Sequence, residues 1–564
     1  KPGFLASPDR RTLSVGAARD PRDPADAGLE TGDAVGLLGI ELHSRRRNRM
    51  NGRVGRVDGQ GFDVTVVHAF GNCPQYIQHR AFQIVDHNTA DTAADTTPPA
   101  RRNHLDAQDR AMIAGADTFF VASYVDLEDA GRQVDVSHRG GKPGFVRVDD
   151  DGVLTIPDFA GNLHFNTLGN FLLNPRAGLV FPDFETGDLL QITGDAEVIL
   201  ADPEIAAFQG AERLWKFRPR TVVRRSGVLG LRWQMPENGW SPNSLMTGSW
   251  EDAAERLKAE ALRTQWRPFR ITRIVEESQT IRSFHLAPAD GAGLIPHLAG
   301  QHLPIRIAPP GSDRPVLRTY TLSAAPSDGV YRISVRKQGR VSDQLHDTLK
   351  AGDLIEARAP AGGFTIDASE RRPAVLVAAG VGVTPMLAML RHIVFEGLRT
   401  RRIRPAWLFY AARSLAERAF DAEIAALVRQ SGGAVRVVRI LSHDDGAQAD
   451  RDYDFLGRLD VTAFQSTLPF DDYDFYLCGP PGFMQATYDG LRGRRDLNAS
   501  SLGGICQVGK GGALVARIGV VAGPCRSARS HPGVQLPGRL LRILQDPTSG
   551  RRGRLYKCAN RAVG

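Results

Sequence analysis

Three short stretches carry residue types suited to holding and reacting a large anionic ligand. Arg318-Thr319-Tyr320-Thr321 sets a cation, an aromatic ring and a small hydroxyl within four positions. A guanidinium suits phosphate, an aromatic face suits a flat ring, and a hydroxyl suits a reacting edge. Gly380-Val381-Gly382-Val383-Thr384-Pro385 follows the apolar run Ala374 to Ala379. Its glycines permit a tight turn and close approach to a ligand, and the helix N-terminus after it offers free N–H groups to phosphate. Cys478-Gly479-Pro480 closes a second apolar run that begins near Tyr476.

The elements that must position these residues are legible from period and punctuation. Residues 374–379 read as a buried parallel strand, with Thr384 as a cap and Pro385 in the first turn of a helix. The same window is apolar enough for a membrane span, but two glycines and Thr-Pro interrupt it, so strand–loop–helix explains it better. Strand and helix patterns alternate from Ala374 to Arg492, which predicts a doubly wound parallel sheet with ligands at the carboxyl ends of its strands. Phe269 to Asp367 shows short alternating strands between Gly, Pro and Asp turns, which predicts a small antiparallel barrel.

The three motifs, in this order and spacing, resemble the ferredoxin–NADP reductase family over roughly Trp266 to Arg492. The resemblance implies an NAD(P)H-dependent flavoprotein oxidoreductase. Arg318 would hold a flavin phosphate, Tyr320 would pack on the isoalloxazine, and Thr321 would hydrogen-bond near its reacting nitrogen. Thr384 and Cys478 would lie beside the nicotinamide, lined by Gly380, Gly382, Gly479 and Pro480. Thr321, Thr384 and Cys478 are thus the candidate catalytic residues. Gly339-Arg340-Val341-Ser342 opens a short helix, expected over Asp343–Leu349, whose N-terminus suits a pyrophosphate. With Gly362-Gly363-Phe364-Thr365 it favours FAD over FMN, with Gly339, Val341 and Ser342 as cofactor-binding positions. Arg413 and Ser414, at the end of the next strand, could meet an adenosine 2′-phosphate; NADH against NADPH stays open.

The N-terminal half repeats itself. Lys1-Pro2-Gly3-Phe4 recurs as Lys142-Pro143-Gly144-Phe145, and Glu30-Thr31-Gly32-Asp33 as Glu185-Thr186-Gly187-Asp188. Gly52 and Gly194 follow the first phenylalanine of each copy by 48 and 49 positions. This argues for a duplicated β-domain. The second copy is preceded by two strand patterns, Asp117 to Gly141, that the first lacks, so the first copy is expected to have lost its opening strands and to show an unpaired edge near Lys1–Phe4. The second copy resembles the pyridoxamine 5′-phosphate oxidase-like split barrel, through Ser137-His138-Arg139-Gly140-Gly141, Ile156 to Asn162, Phe165 to Asn170 and Asn174 to Gly178. That resemblance implies FMN, its phosphate held on adjoining strands by His138, Arg139, Asn166, Thr167 and Asn170, and a homodimer. The first copy has a polar loop in place of the Phe165–Asn170 stretch, yet keeps Arg45, Arg46, Arg47, Arg49 and Arg53. These are either a phosphate clamp contributed across a pseudo-dimer or a solvated edge strand.

Of the net charge of +8, residues 493–564 supply +11, with 13 Lys+Arg against 2 Asp+Glu, so residues 1–492 carry −3. A slightly acidic body excludes a nucleic-acid-binding face. The 5 cysteines show no disulfide or metal-ligand spacing. Cys506, Cys525 and Cys558 cannot supply a four-cysteine iron–sulfur cluster. No signal or spanning segment is visible, so a cytoplasmic location is expected, although the chain starts at Lys1 and any earlier signal would be missing.

The fold class is therefore multidomain: a duplicated split β-barrel with its first copy truncated, an antiparallel flavin-binding β-barrel, and an α/β doubly wound nicotinamide-binding domain. The boundaries are 1–85 for the truncated copy, 86–105 for a linker, 106–248 for the second copy, 249–265 for a linker helix, 266–368 for the FAD barrel and 369–492 for the NAD(P) domain. Residues 493–564 form a basic tail, disordered or frame-shifted. Electrons would leave to a small-molecule or protein acceptor, with no nucleic acid, membrane or metal involved. A flavin-binding redox sensor with little turnover is the alternative.

Overall fold

Alternation along residues 46–64 turns Val54, Phe62 and Val64 inward and leaves Arg46, Arg53 and Arg56 in solvent, as a half-buried sheet requires. The computed structural model describes residues 4–17, 19–85, 99–161, 164–308, 314–469, 471–492 and 513–518. In it the first copy is an antiparallel sheet of β1 (Leu5–Ala6), β2 (Thr12–Val15), β3 (Ala34–Glu41), β4 (Arg46–Asp58) and β5 (Gly61–Asn72), ordered β1-β2-β5-β4-β3. After β6 (Ala81–Ile84) and β7 (Arg101–Arg102) comes the second copy. Its strands are β8 (Thr118–Leu127), β9 (Gly131–Gly140), β10 (Arg147–Val148), β11 (Leu154–Phe159), β12 (Arg176–Pro182), β13 (Leu189–Ile199) and β14 (Ala211–Arg225). They are ordered β10-β11-β14-β13-β12-β8-β9, with β7 on β14.

Strand for strand the two orders coincide, with β8 and β9 added beside β12. The register breaks at the same place in both copies, at Gly52 between β4 and β5 and at Gly194 between β13 and β14. A Cβ would stand 2.2 Å from the carbonyl oxygen of Thr65 in one and of Arg218 in the other. Only glycine fits this bulge, which is why the repeat kept it. β1 is a sheet edge next to Phe4, as expected, but the opening strands that the first copy lacks would pair beside β3, at the other edge. β1 and β10 are edges in both copies, and Lys1 to Gly3 lie outside the described residues. β3 instead packs on β9, with Gly36 against Val134 and Val136. Asp20 and Asp23, in the first copy's polar loop, pair with Arg225 of β14, and β6 pairs with β15 (Leu231–Gln234).

Two further expectations fail in this half. The sequence pattern of residues 202–217 predicts a helix, but only Pro203–Ala207 is helical and β14 takes most of the rest; Leu214, Trp215 and Phe217 are needed in the sheet core. The Phe165–Asn170 stretch is not on a strand: Asn166–Leu173 is a helix whose Leu168 and Phe171 pack into that core. Trp250–Ala261 forms the expected linker helix, capped by Ser249.

The next six strands are β16 (Arg267–Glu276), β17 (Ile281–Pro288), β18 (His302–Ile307), β19 (Val316–Thr321), β20 (Tyr331–Arg336) and β21 (Leu354–Ala357). They make an antiparallel sheet ordered β19-β18-β21-β16-β17-β20, and a bridge between Leu322 and Ile333 brings its two ends together. The last sheet is β25-β24-β23-β22-β26-β27, from β22 (Ala374–Ala379), β23 (Ala406–Ala412), β24 (Val435–Leu441), β25 (Phe455–Leu456), β26 (Tyr473–Cys478) and β27 (Ala513–Ile518). All pairs are parallel except β26 with β27. The helix Val383–Thr400 is its core helix. It belongs to the one segment among the described residues, Gly380–Thr400, that is long and apolar enough to cross a membrane, and 67% of its apolar window is buried inside the fold.

β27 corrects the reading of the tail. Residues 513–518 add an antiparallel strand along β26, from Ala513 opposite Cys478 to Ile518 opposite Tyr473; the run Ala-Leu-Val-Ala-Arg-Ile was short enough to be lost among Arg, Gly and Pro. The remainder of the tail, with Cys506, Cys525 and Cys558, lies outside the described residues.

A buried ion pair anchors this sheet. Arg404 is 1% exposed; its Nη2 lies 2.6 Å from an Asp474 carboxylate oxygen, and its other nitrogens donate to the carbonyls of Arg372 and Asp367. Arg404→Ala removes one of two arginines from Asp474, leaving Arg372 at 2.9 Å, and should destabilise this domain by about 1.5–3 kcal/mol, measured by urea unfolding followed by tryptophan fluorescence.

Candidate active site

β22 and β26 are neighbours with Ala378 opposite Cys478, so the glycine turn and the Cys-Gly-Pro turn leave the sheet side by side. They touch through backbone. A Cβ on Gly382 would stand 2.2 Å from the Cys478 carbonyl oxygen, and one on Gly479 would stand 2.9 Å from the Phe483 ring and 3.0 Å from Ala379. Gly380 has φ +55°. The expected strand–turn–helix is present, but Thr384 is not the cap: Gly382 precedes the helix, and Thr384 sits in its first turn, its hydroxyl donating to the Val381 carbonyl at 3.0 Å. Burial pushes the Cys478 thiol up to about 12. It is a neutral thiol at pH 7, able to pack against a ring and unable to act as nucleophile or base. Pro480 is exposed at the rim.

β19 is the edge of the barrel sheet and carries the first motif. Arg318 is exposed, its guanidinium donating to the Leu317 carbonyl at 2.8 Å, and Tyr320 and Thr321 are half-buried. The helix expected over Asp343–Leu349 runs over Arg340–Asp347, after Gly339 at φ +119°. The glycine turn starts it three residues early. Ser342 Oγ donates to the Gly339 carbonyl and accepts from the Gln338 N–H, and Val341 is in the barrel core. These two side chains shape the turn; the N–H groups of the first helical turn remain for phosphate. An open cation, an aromatic face, a glycine-shaped helix start and a cradle that a Cβ would fill fit FAD and a nicotinamide dinucleotide. At the strand end beside them, Arg413 is 69% exposed and 3.7 Å from Glu417, while Ser414 is buried.

The two motifs stand on different domains, and side chains that no local pattern singled out join them. Arg332, on β20, donates to the hydroxyl and carbonyl of Ser323, two residues past Thr321, at 2.9 and 2.6 Å. The same guanidinium makes a bidentate pair at 2.9 and 3.0 Å with Glu423, on the helix Asp421–Gln430. Glu423 also meets Arg391 at 2.5 Å, and Arg391 meets Asp328 of the barrel at 2.7 and 2.8 Å. Burial opposes the Glu423 charge, but the two guanidiniums hold the carboxyl below its ordinary value.

In the N-terminal half, four of the five expected phosphate residues line one cavity: His138, Arg139, Asn166 and Thr167. Asn170 does not; it donates to Ser123. Thr167 is engaged with Asp135 and Ser137, and Arg139 with Asp158. The first copy completes the wall with Arg47, Arg49, Cys73 and Gln75. Arg49 pairs with Asp135 at 2.8 Å, and Arg47 donates to His138 Nδ1 at 3.0 Å. His138 is 5% exposed, and burial, with four arginines nearby, drives its pKa well down. It is a neutral ring whose Nδ1 accepts, so Nε2 carries the proton. The enclosed part of the cavity is about 110 Å³, and it opens to solvent. Its donors fit a phosphate.

Two family models match the chain, an oxidoreductase FAD-binding domain over residues 268–366 and an oxidoreductase NAD-binding domain over residues 376–489. The flavohemoprotein of Deinococcus radiodurans is 39% identical over 223 residues, 39% of this chain and 54% of that protein. That of Bacillus subtilis is 35% identical over 225 residues, 40% of this chain and 55% of that one. The chain spans about half the length of the curated relatives it matches. Among solved structures, the FAD/NAD-binding domain of nitric oxide dioxygenase from Vibrio cholerae is 35% identical, with a TM-score of 0.36, covering 40% of this chain and 92% of that one.

Arg318→Ala removes a charge-assisted bond worth about 1.5–3 kcal/mol and should weaken flavin retention by on the order of ten- to a hundredfold, read by fluorescence of released flavin; undiminished affinity would contradict the assignment. Cys478→Ala should slow reduction of bound flavin in a single turnover while leaving flavin content intact. Geometry and family matches agree: residues 268–489 are FAD-binding and NAD-binding oxidoreductase domains of the ferredoxin–NADP reductase family, which support NAD(P)H-dependent flavoprotein chemistry in this part of the chain.

Proposed function

We propose that this chain draws electrons from NAD(P)H through FAD and delivers them to an acceptor outside residues 268–489, a small molecule or a protein. The observation that carries this reading is the backbone contact of Gly382 with Cys478 and Gly479, which opens a dinucleotide cradle at the switch point of the sheet. FAD, when bound, supplies the two-electron acceptor for the nicotinamide hydride. The chain does the rest by positioning. Arg318 and the first turn of Arg340–Asp347 hold the flavin phosphates. Tyr320 packs on the ring and Thr321 hydrogen-bonds at its edge. Thr384, Cys478 and the glycines wall the nicotinamide and exclude water. Arg413 has only a long contact to Glu417 and is free to turn towards a 2′-phosphate.

The finer parts of the proposal concern the rest of the chain. Residues 1–248 are read as an internal pair of split barrels of the pyridoxamine 5′-phosphate oxidase-like kind, supported by the shared strand order and the matched bulges at Gly52 and Gly194. The first copy covers the Arg49–Asp135 face itself, so that face needs no second chain. FMN stays in this reading as the ligand that the resemblance implies for the cavity lined by His138 and Arg139. Free thiols at Cys73 and Cys478 suit a reducing, cytoplasmic setting.

Anaerobic titration of the FAD-loaded protein with NADH and, separately, NADPH should bleach the flavin band with at least one donor, and ferricyanide should then support repeated turnover. Absence of bleaching with both donors would contradict the reading.

A further inference from the structure

A second cavity lies where the N-terminal half meets the reductase. Its walls come from the turn before β14, the linker helix Trp250–Ala261, the β17–β18 and β19–β20 connections and the middle of the helix Val383–Thr400. It holds about 590 Å³ and opens to solvent, the size that takes a small organic molecule. The long side-chain donors in its lining are spent. Arg256, the only cation among the described lining residues, donates to the Ala207 carbonyl and to Gln209 Oε1 at 2.9 and 3.0 Å. Gln209 donates to the Met246 carbonyl, and the Tyr331 hydroxyl to that of Ile295. The acceptors are not spent. His297, 6% exposed, donates from Nε2 to the Ala324 carbonyl at 3.2 Å. Burial lowers its pKa, so the ring is neutral and Nδ1 is a bare acceptor, with no partner among the described residues. Ser327 Oγ and His392 Nδ1 are buried without a partner as well. Glu396 gives one carboxylate oxygen to Arg399 and keeps the other. Asp252 and Glu255, exposed on the linker helix, make no side-chain hydrogen bond or ion pair with any described residue.

We propose that this cavity binds a small organic cation, an amine, amidine or guanidine on a flat apolar body. Three carboxylates against one committed guanidinium leave the lining net negative, and low-dielectric walls focus that field on what enters. Leu294, Val330, Tyr331 and Phe395 give the body an apolar side, and the open acceptors call for N–H donors. An anion meets repulsion there, and a neutral isostere leaves the field unanswered. Ser327 and His392 are chain neighbours of Asp328 and Arg391, whose ion pair joins the barrel to the nicotinamide domain. A bound cation therefore touches the N-terminal half and both reductase domains at once. No residue assigned to FAD, nicotinamide or the His138 cavity lines this one, so the proposal stands apart from the reductase reading.

The test is isothermal titration of the FAD-loaded full chain with benzamidine, benzamide and benzoate, with and without saturating NAD⁺. The three probes share a ring and differ in charge. Benzamidine should bind saturably at one site per chain in both conditions, benzamide at least tenfold more weakly, and benzoate not at all. The double variant Asp252→Asn and Glu255→Gln, altered only on the exposed face of a helix, should lose at least tenfold in benzamidine affinity while flavin reduction by NADH is unchanged. Absence of saturable benzamidine binding, equal affinity for benzamide, or full affinity in the double variant would each overturn the proposal. Binding that NAD⁺ abolishes would put the probe in the nicotinamide site and overturn it too. Should the double variant not fold, the charge series on the unsubstituted protein decides alone.

Discussion

One guanidinium spans the junction on which the reductase depends. Arg332 grips the hydroxyl and carbonyl of Ser323 on the flavin side and the Glu423 carboxylate on the nicotinamide side. Hydride transfer needs its two rings stacked at contact distance, and a displacement of 1 Å costs on the order of a hundredfold in rate. The barrel supplies one ring site and the doubly wound sheet the other. Neither domain can set that distance by its own core, so the setting falls to groups that cross between them. Arg391 and Asp328 extend the bridge, and Arg391 lies on the helix Val383–Thr400 whose first turn faces the nicotinamide cradle. Two cations and two carboxylates in alternation are mutually satisfied, which lets so many charges sit partly buried.

The same helix meets the N-terminal module at its other end. Gln75 donates to the Arg399 carbonyl at 3.1 Å, and Arg399 stands 3.5 Å from Glu212. The helix is thus held at its start by the glycine turn, at its middle by the barrel and at its end by both N-terminal sheet copies. Its apolar length is explained by this central place in a core, with Met386 through Leu390 buried throughout.

What could be read beforehand follows from the range of the interactions involved. Arg318 to Thr321, Gly380 to Pro385 and Cys478 to Pro480 are local motifs, legible because one turn or strand end fixes each constellation. The duplication was legible because Gly52 and Gly194 answer to a steric limit in each copy. The interdomain bridge was not: Arg332 and Glu423 are 91 residues apart, and nothing in the spacing of either marks it. The cavity between the two N-terminal copies was half legible. His138 and Arg139 were singled out and Arg47 and Arg49 were weighed as a clamp, yet Thr167 and Asn170 proved committed to Asp135 and Ser123. Cys73 and Gln75 lie in the stretch Phe70 to Gln78, which resembles split-barrel proteins but suggests no chemical role, and Cys73 reads there as structural. Residues 202–217 and 513–518 were misread for a common reason: their places in a sheet are decided by distant partners, Val198 and Ile199 in one case and β26 in the other.

The account turns on whether the Arg332–Glu423 bridge sets the working distance between the two ring sites. Stopped-flow reduction of FAD-loaded Glu423→Gln by NADH, in a single turnover, measures this directly. The account predicts a rate lower by on the order of tenfold or more, with flavin content and NAD affinity unchanged and Glu423→Asp intermediate. A rate equal to that of the unsubstituted protein, at equal flavin content, would contradict it.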